Sequence, residues 1–206
     1  MNPWLSIPLA DYEGHMRSAS VRQLDALSDL FAETIALRAP SSIAILGIAG
    51  GNGLERIDPA AVHRIVGIDI NSDYLDAVQR RYPNLPQLEL QRADLGRDVL
   101  SIAPVQLVHA ALVFEHAGTA LCLDNAISLV APSGTLSVVL QLPSPSAANV
   151  ATTAYPSLQR LSADFSLIDP PVLCDTLIKR GFTLAHESRR AVFAGKELWL
   201  GIFDRL

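Results

Sequence analysis

Only two cysteines, Cys122 and Cys174, occur in the 206-residue chain. That is too few for a disulfide framework or a thiolate metal cage. Both fall in stretches with helical amphipathic spacing, where a small buried hydrophobe is the expected role. Basic side chains are also in deficit: 16 Lys and Arg stand against 21 Asp and Glu, a formal net charge of −5. A general nucleic-acid binder needs a basic footprint to displace counterions, so no nucleic-acid partner is expected. No apolar run reaches membrane-spanning length, so no membrane partner is expected either. The segment Met1 to Ala10 lacks the basic start and continuous apolar core of a signal peptide, and Asp11 and Glu13 follow at once. The five histidines show no metal-ligand spacing, and no metal is expected. Together these absences lead us to expect a reduced, cytoplasmic protein.

Apolar residues, by contrast, are plentiful: they fill 50% of positions, and only 18% are charged. This composition excludes disorder and supplies a large core for one domain with at most a small appendage. No short-period self-similarity points to a solenoid or propeller.

Residues 1–17 read as irregular, because Pro3 and Pro8 discourage a helix. Ser20-x-x-Gln23 has capping-box spacing, and Val21, Leu24, Leu27, Phe31 and Ile35 recur at helical intervals until Pro40 closes the helix. Strand-like and helix-like stretches then alternate. Apolar runs at 43–46, 64–68, 88–91, 105–112 and 135–142 read as strands, the last entered through Pro132-Ser133-Gly134. Asn71 or Ser72 caps a helix reaching about Arg81, and Thr119 to Val130 forms another. Strands nearly continuous in apolar character and separated by helices indicate a parallel sheet covered on both faces. Residues 143–168 change character: small polar residues through Thr153 form a loop, with a short helix around 155–161. Asp169-Pro170 starts a helix, Gly181 ends it, and runs at 182–185 and 198–202 flank a polar turn containing Gly195. Without a helical crossover these two strands pair antiparallel. The fold class is therefore α/β, a doubly wound, mostly parallel seven-stranded sheet ending in an antiparallel C-terminal hairpin. Residues 1–40 form an N-terminal segment and helix, a candidate lid, and residues 41–206 form the main domain.

The most informative stretch is Gly47-Ile48-Ala49-Gly50-Gly51-Asn52-Gly53, read as lying after a strand and before a helix. Glycines let a chain turn sharply and let a ligand approach the backbone, and a helix start offers unpaired N–H groups to an anion. A ligand-free strand–helix connection is the alternative. The second strand weighs against it: Asp69 ends that strand about 20 residues beyond Gly47, the spacing at which a carboxylate meets both hydroxyls of a ribose. Asn71 and Ser72 already serve as helix caps, so Asp69 is not needed as one. Asp94 follows the third strand, where a carboxylate accepts from an adenine amino group while Ile70 and Leu95 sandwich the ring. Three strand ends thus converge on one crevice of an open α/β sheet.

In this motif order and in its terminal hairpin, roughly residues 43–203 resemble the class I S-adenosylmethionine-dependent methyltransferases, a Rossmann-like family. The resemblance implies S-adenosyl-L-methionine as cofactor. Gly47, Ala49, Gly51 and Asn52 would lie along its methionine part, Asp69 at the ribose, Asp94 at the adenine between Ile70 and Leu95, and Ala111 and Leu112 beside the methionine moiety, with Ile48 also among the cofactor-binding residues. Asp11-Tyr-Glu-Gly-His-Met16, with Gly-Asn-Gly-Leu-Glu and Ala-Ala-Leu-Val-Phe-Glu, is similar to a small bacterial subgroup of methyltransferase-like proteins. Three positions depart from the family pattern. Ile45 stands where an acidic residue is usual, Ala49 replaces a middle glycine and requires a negative φ, and Gln106 replaces a common aspartate.

Methyl transfer from a sulfonium asks the protein mainly for positioning and exclusion of water. A base is needed only where the acceptor loses a proton. Glu115 and His116, just beyond the fourth strand, are the candidates, set against a solvated helix start as the preferred reading. Tyr12, His15 and Met16 would fold over the site as a lid, or else belong to a surface extension held by Trp4 and Leu9. Tyr155, with Phe114 and Phe165, is a candidate apolar wall for the acceptor. His109 reads as a core histidine. The Asn-Pro-Pro-Tyr motif of amino-methylating enzymes is missing, which disfavours a base or a glutamine amide as acceptor. The expectation is a methyltransferase acting on a small molecule, its acceptor and oligomeric state unnamed. The alternatives are a noncatalytic adenosyl-ligand-binding protein and an NAD(P)-dependent reductase. The latter lacks a second mononucleotide unit and a Tyr-x-x-x-Lys pair here.

Overall fold

The computed structural model describes residues 2–144 and 153–206. Its strands are β1 (Ser42–Leu46), β2 (Arg64–Asp69), β3 (Leu88–Arg92), β4 (Val105–Ala111), β5 (Val130–Gln141), β6 (Phe182–Ala191) and β7 (Glu197–Arg205). They form one sheet in the order β3-β2-β1-β4-β5-β7-β6. Strands β1 to β5 pair parallel, and β7 runs antiparallel between β5 and β6. The doubly wound sheet with its C-terminal hairpin is thus present as expected.

The helices are α1 (Leu9–Arg17), α2 (Gln23–Arg38), α3 (Ser72–Arg81), α4 (Phe114–Ala117), α5 (Ala120–Leu129), α6 (Leu161–Asp164) and α7 (Pro170–Lys179). The central strands are continuously apolar because both faces are covered. Ala44 and Leu46 of β1 join a cluster with Leu123, Ala126, Leu173 and Leu177 of α5 and α7. Ile43 and Ile45 join Phe31, Leu75 and Val78 of α2 and α3 on the other face. Asn71 caps α3 through the Asp73 N–H, 2.9 Å away. No helix among the described residues is long and apolar enough to cross a membrane.

Several local expectations are corrected. Residues 1–17 are not irregular: Pro3–Ser6 form a 3-10 turn and α1 follows. Pro3 occupies the first position of the turn and Pro8 the cap before α1, the places where a missing N–H costs nothing. Ser20 does not cap α2. The chain turns back on Ser18, Arg22 adopts a left-handed φ of 50°, and no side chain caps the helix. The glycine loop leads into a three-residue 3-10 turn, Leu54–Arg56, and not into a helix. Asp169 sits at the cap of α7 without a side-chain cap bond. Strand β5 starts at Val130, before the Pro132-Ser133-Gly134 turn, with a register irregularity opposite Val105 and Leu107. Within 143–168, residues 145–152 lie outside the described residues, and the expected short helix is a 3-10 turn, Pro156–Leu158, followed by α6.

Candidate functional site

The carboxyl ends of β1, β2, β4 and β5 open into a cavity of about 1290 Å³, its mouth included. It lies where the chain's winding reverses between β1 and β4, the usual ligand crevice of such sheets.

The glycine-rich turn forms one side. Without a helix after it, its N–H groups are spent locally: Ile48 donates to the Ile68 carbonyl at 3.0 Å and Gly51 to the Ile48 carbonyl at 2.9 Å. Ala49 takes a φ of 48°, not the negative value expected. A left-handed alanine costs about 1–2 kcal/mol, and the Asp69 Oδ2 that accepts from its N–H at 2.9 Å holds it there. Leu112, at the end of β4, is left-handed too, with φ 54°. Both strained residues line the cavity, and strain of this kind concentrates at ligand sites.

Asp69 is 7% exposed. Burial raises its pKa, while N–H groups of Asn71, Ala49 and Ile70 pull the other way. Its Oδ1 accepts from the Asn71 N–H at 2.9 Å. Asp94 accepts from Gly96 N–H at 3.1 Å and from Asn2 Nδ2 at 3.2 Å. The structure brings Gly47, Ala49, Asp69, Ile70, Asp94, Leu95, Ala111 and Leu112 to this one cavity. It does not bring Ile48, Gly51 and Asn52 there. Ile48 and Asn52 line a smaller neighbouring space, and Asn52 Nδ2 donates to the Leu24 carbonyl at 3.0 Å. The Gly51 carbonyl accepts from Tyr82 Oη at 3.0 Å. These three residues shape the turn from behind. Ile45 is buried in the core, and Gln106 sits at the opposite end of β4, accepting from Ser41 N–H at 2.7 Å.

The cover is the N-terminal segment. Tyr12, His15 and Met16 of α1 line the cavity, and so do Asn2 and Trp4. Asn71 Nδ2 donates to the Trp4 carbonyl at 2.9 Å. Arg81 pairs with the Glu13 carboxylate and donates to the Gly50 carbonyl, so one guanidinium fastens both α1 and the glycine turn. Trp4 meets Tyr12 edge-on at 5.6 Å and His116 at 5.0 Å, while Phe165 meets His116 at 5.2 Å. Tyr12 and Tyr74 stack at 6.3 Å. Burial and the nearby Asp69 carboxylate raise the pKa of both phenols.

The solvated helix start expected at 115–116 is absent. His116 lines the cavity. Glu115 is 1% exposed and stands behind the wall. Its Oε1 accepts from Gln141 N–H at 2.9 Å, and Oε2 has no hydrogen-bond partner among the described residues. Burial pushes its carboxyl up to about 7. Phe114 is in the core, and Tyr155 packs in the satellite cluster of Ile7, Leu158 and Leu161 instead of lining the cavity. His109 is a core histidine, with Nδ1 3.0 Å from Ser137 Oγ and its ring against Phe31. Among the described residues no group of His, Cys, Asp and Glu is arranged to hold a metal ion. Sequence reasoning missed Asn2, Gln23, Gln141 and Lys196 as lining residues. For Asn2 a signal existed, since Asn followed by Pro is a capping pattern. A lone lysine beside a turn glycine carries none.

No protein-family model matches this chain, and no curated protein matches it by sequence. Solved structures do match. N-methyltransferase NodS from Bradyrhizobium japonicum WM9, in complex with S-adenosyl-L-homocysteine, aligns over 100% of this chain and 99% of its own with a TM-score of 0.69 at 16% identity. Magnesium protoporphyrin IX methyltransferase (ChlM) from Synechocystis PCC 6803, with bound S-adenosyl-L-homocysteine, covers 89% of this chain and 83% of its own at a TM-score of 0.66 and 13% identity. The [4+2]-cyclase SpnF covers 98% and 93% at a TM-score of 0.68 and 12% identity. The chain therefore has the fold shared by these two methyltransferases and the cyclase, and its function has to be argued from its site.

Proposed function

We propose that this chain is an S-adenosylmethionine-dependent methyltransferase acting on a small-molecule acceptor. One observation carries the reading: Asp69 and Asp94, from separate strand tips, line a single cavity sided by the glycine turn and covered by aromatic rings. The residues fit the cofactor. Asp69 commits one lone pair of each oxygen to Ala49 and Asn71. A carboxylate accepts about four hydrogen bonds, and even with the Ile70 N–H also acting on it Asp69 keeps acceptor capacity toward the cavity for a ribose hydroxyl. Asp94, with Ile70 and Leu95 beside it, suits an adenine amino group and ring face. Gly47, Ala49, Ala111 and Leu112 would flank the methionine part.

When bound there, the sulfonium supplies a methyl group already activated for in-line displacement. What the chain adds is position and dryness. Trp4, Tyr12, Tyr74 and Phe165 exclude water from the cavity, and residues 2–17 act as a lid tied down through Asn2, Asn71 and Arg81. Where an acceptor must lose a proton, His15 and His116 are the groups in reach, and Glu115 is not. Burial and the Lys196 charge lower the pKa of His15, which keeps its ring neutral and able to accept a proton near pH 7. The acidic balance of the chain, 16 Lys and Arg against 21 Asp and Glu, is in keeping with a small-molecule acceptor and not with nucleic acid.

Calorimetric titration with S-adenosylmethionine, S-adenosylhomocysteine and NADH tests the proposal. Binding of the two adenosyl ligands is expected. Binding of NADH alone would overturn it, and adenosyl binding with no turnover across an acceptor screen would favour a ligand-binding protein.

A further inference from the structure

Tyr74 carries a hydroxyl that the fold leaves unmet. The residue stands in the first turn of α3, where its N–H donates to the Asn71 carbonyl at 3.2 Å, and it is 1% exposed. Its hydroxyl oxygen is buried and has no hydrogen-bond partner among the described residues. A buried phenol ordinarily finds a group for its O–H. Leaving that group unpaired costs free energy that phenylalanine, with the same ring, would not cost. The ring itself is fully used, since it lines the cavity and stacks on Tyr12 of the cover with 6.3 Å between centroids. Packing therefore accounts for the ring and not for the oxygen.

The surroundings say what that oxygen is for. Asn71 ties the start of α3 to Asp69, its N–H donating to Asp69 Oδ1 at 2.9 Å, so Tyr74 rises from the turn that follows the carboxylate. Burial and then the Asp69 charge raise the pKa of Tyr74, which keeps the phenol protonated and a donor. The two side chains line one cavity, yet the phenol is not spent on the carboxylate. An ionised carboxylate accepts and cannot donate. A ligand hydroxyl that gives its proton to Asp69 is left with lone pairs, and these call for a donor close by. Tyr74 is such a donor with no other use.

The geometry points to Tyr74 as a further specificity-determining residue, whose O–H donates to a ribose hydroxyl of the cofactor while Asp69 accepts from the ribose, so that the pair reads the sugar as ribose and not deoxyribose. Tyr12 belongs to the cover, so the ring that shuts Tyr74 in moves with α1 as the ligand enters. The inference rests on the S-adenosylmethionine reading of the cavity and adds to it a selectivity among nucleosides.

Tyr74→Phe is the test, because it removes the oxygen and keeps the ring. Both chains are titrated calorimetrically with S-adenosylhomocysteine and with its 2′-deoxy and 3′-deoxy counterparts. The variant is expected to bind S-adenosylhomocysteine about fivefold or more weakly, a typical loss for one hydrogen bond, and to bind one of the two deoxy ligands as well as wild type does. That ligand identifies the hydroxyl that Tyr74 meets. Melting curves of the ligand-free chains give a second readout, in which the variant is expected to equal or exceed wild type, since an unmet hydroxyl has gone. Equal affinity of the two chains for S-adenosylhomocysteine overturns the inference. A loss of the same size for all three ligands also overturns it, by placing the effect in the packing against Tyr12. So does a ligand-free melting temperature below that of wild type, which would give the hydroxyl a structural role. If the wild-type chain itself does not bind S-adenosylhomocysteine, the methyltransferase reading falls and the inference with it. Binding by wild type leaves that reading standing whichever way Tyr74→Phe behaves.

Discussion

Replacing Glu115 by glutamine should change how the stability of the protein depends on pH, and the size of the change follows from its surroundings. The side chain lies behind the cavity wall, 1% exposed, with Oε1 held by the Gln141 N–H and Oε2 without a partner among the described residues. Burial lifts its carboxyl from 4.5 to about 7. The folded state therefore binds this proton more tightly than the unfolded chain does. The stabilisation is complete below about pH 4.5 and fades as pH rises through 7. A displacement of that size weighs about 3 kcal/mol against the charged form. Glutamine imitates the neutral acid and does not titrate. At pH 4.5 the variant should be the less stable chain by about 1–3 kcal/mol, because its amide brings two N–H donors where the neutral acid brings one O–H and no acceptor meets the extra one. By pH 8.5 its standing relative to wild type should have improved by about 3 kcal/mol. Urea unfolding of both chains at four pH values between these limits measures the difference, in which the contributions of all other groups cancel. Two profiles that stay parallel would refute the reasoning, for then the carboxyl is ionised without penalty and is not in the interior.

Asp69→Asn should weaken S-adenosylhomocysteine binding by about 1–3 kcal/mol through loss of a charged acceptor; calorimetry giving an unchanged affinity would remove Asp69 from the site. Gly51→Val should lower the melting temperature whether or not a ligand is present. Gly51 has a φ of +83° and a Cβ would lie 2.8 Å from the Tyr82 ring, an overpacking that costs about 1–3 kcal/mol. A well-folded Gly51→Val chain that fails only in binding would instead put the glycine at the ligand. His109→Asn, which retains an amide for Ser137, should gain on wild type by about 3 kcal/mol as pH falls from 7.5 to 4. Burial holds the histidine down at about 4, so its contribution is present above 6.5 and is lost on acidification through 4. Denaturant midpoints at the two pH values decide it.

The sheet was legible in the sequence because its central strands are covered on both faces and so read as unbroken apolar runs between helices. Strand β6 was legible only at its start. It lies at the edge of the sheet, its exposed positions carry Glu187 and Arg189 and its half-buried ones His186 and Arg190, and such residues give no apolar signal. The N-terminal helix was missed because proline was taken as a breaker, whereas Pro3 and Pro8 stand at helix starts. At the site, Asp69 and Asp94 were legible because each directly ends or follows a strand, and topology alone carries strand tips to one edge. Lys196, Gln23 and Gln141 were not. Their meeting depends on the hairpin register that sets Gln141 opposite Leu198, a long-range pairing that no local spacing encodes. The φ of Ala49 was misread for a related reason: local preference disfavours it, and a carboxylate twenty residues away imposes it.

Glu115 and His109 show where this fold puts charge and where it does not. Both are buried beside the sheet, and burial drives both toward neutrality, the acid upward and the base downward. Their effects on stability oppose each other between about pH 4.5 and 6.5. Acidification strengthens the chain through Glu115 and weakens it through His109, by about 3 kcal/mol each over their full ranges. The wild-type profile in that window is flat on their account, although each variant alone should expose a slope. The charges that the interior refuses are found one layer out, on the cavity surface, where Asp69, Asp94 and Lys196 face space a ligand can fill. A buried charge is tolerable only with a partner. Asp69 and Asp94 have N–H groups of the chain as partners and still present carboxylate oxygens to that space, which suits a ligand bringing hydroxyl and amino donors.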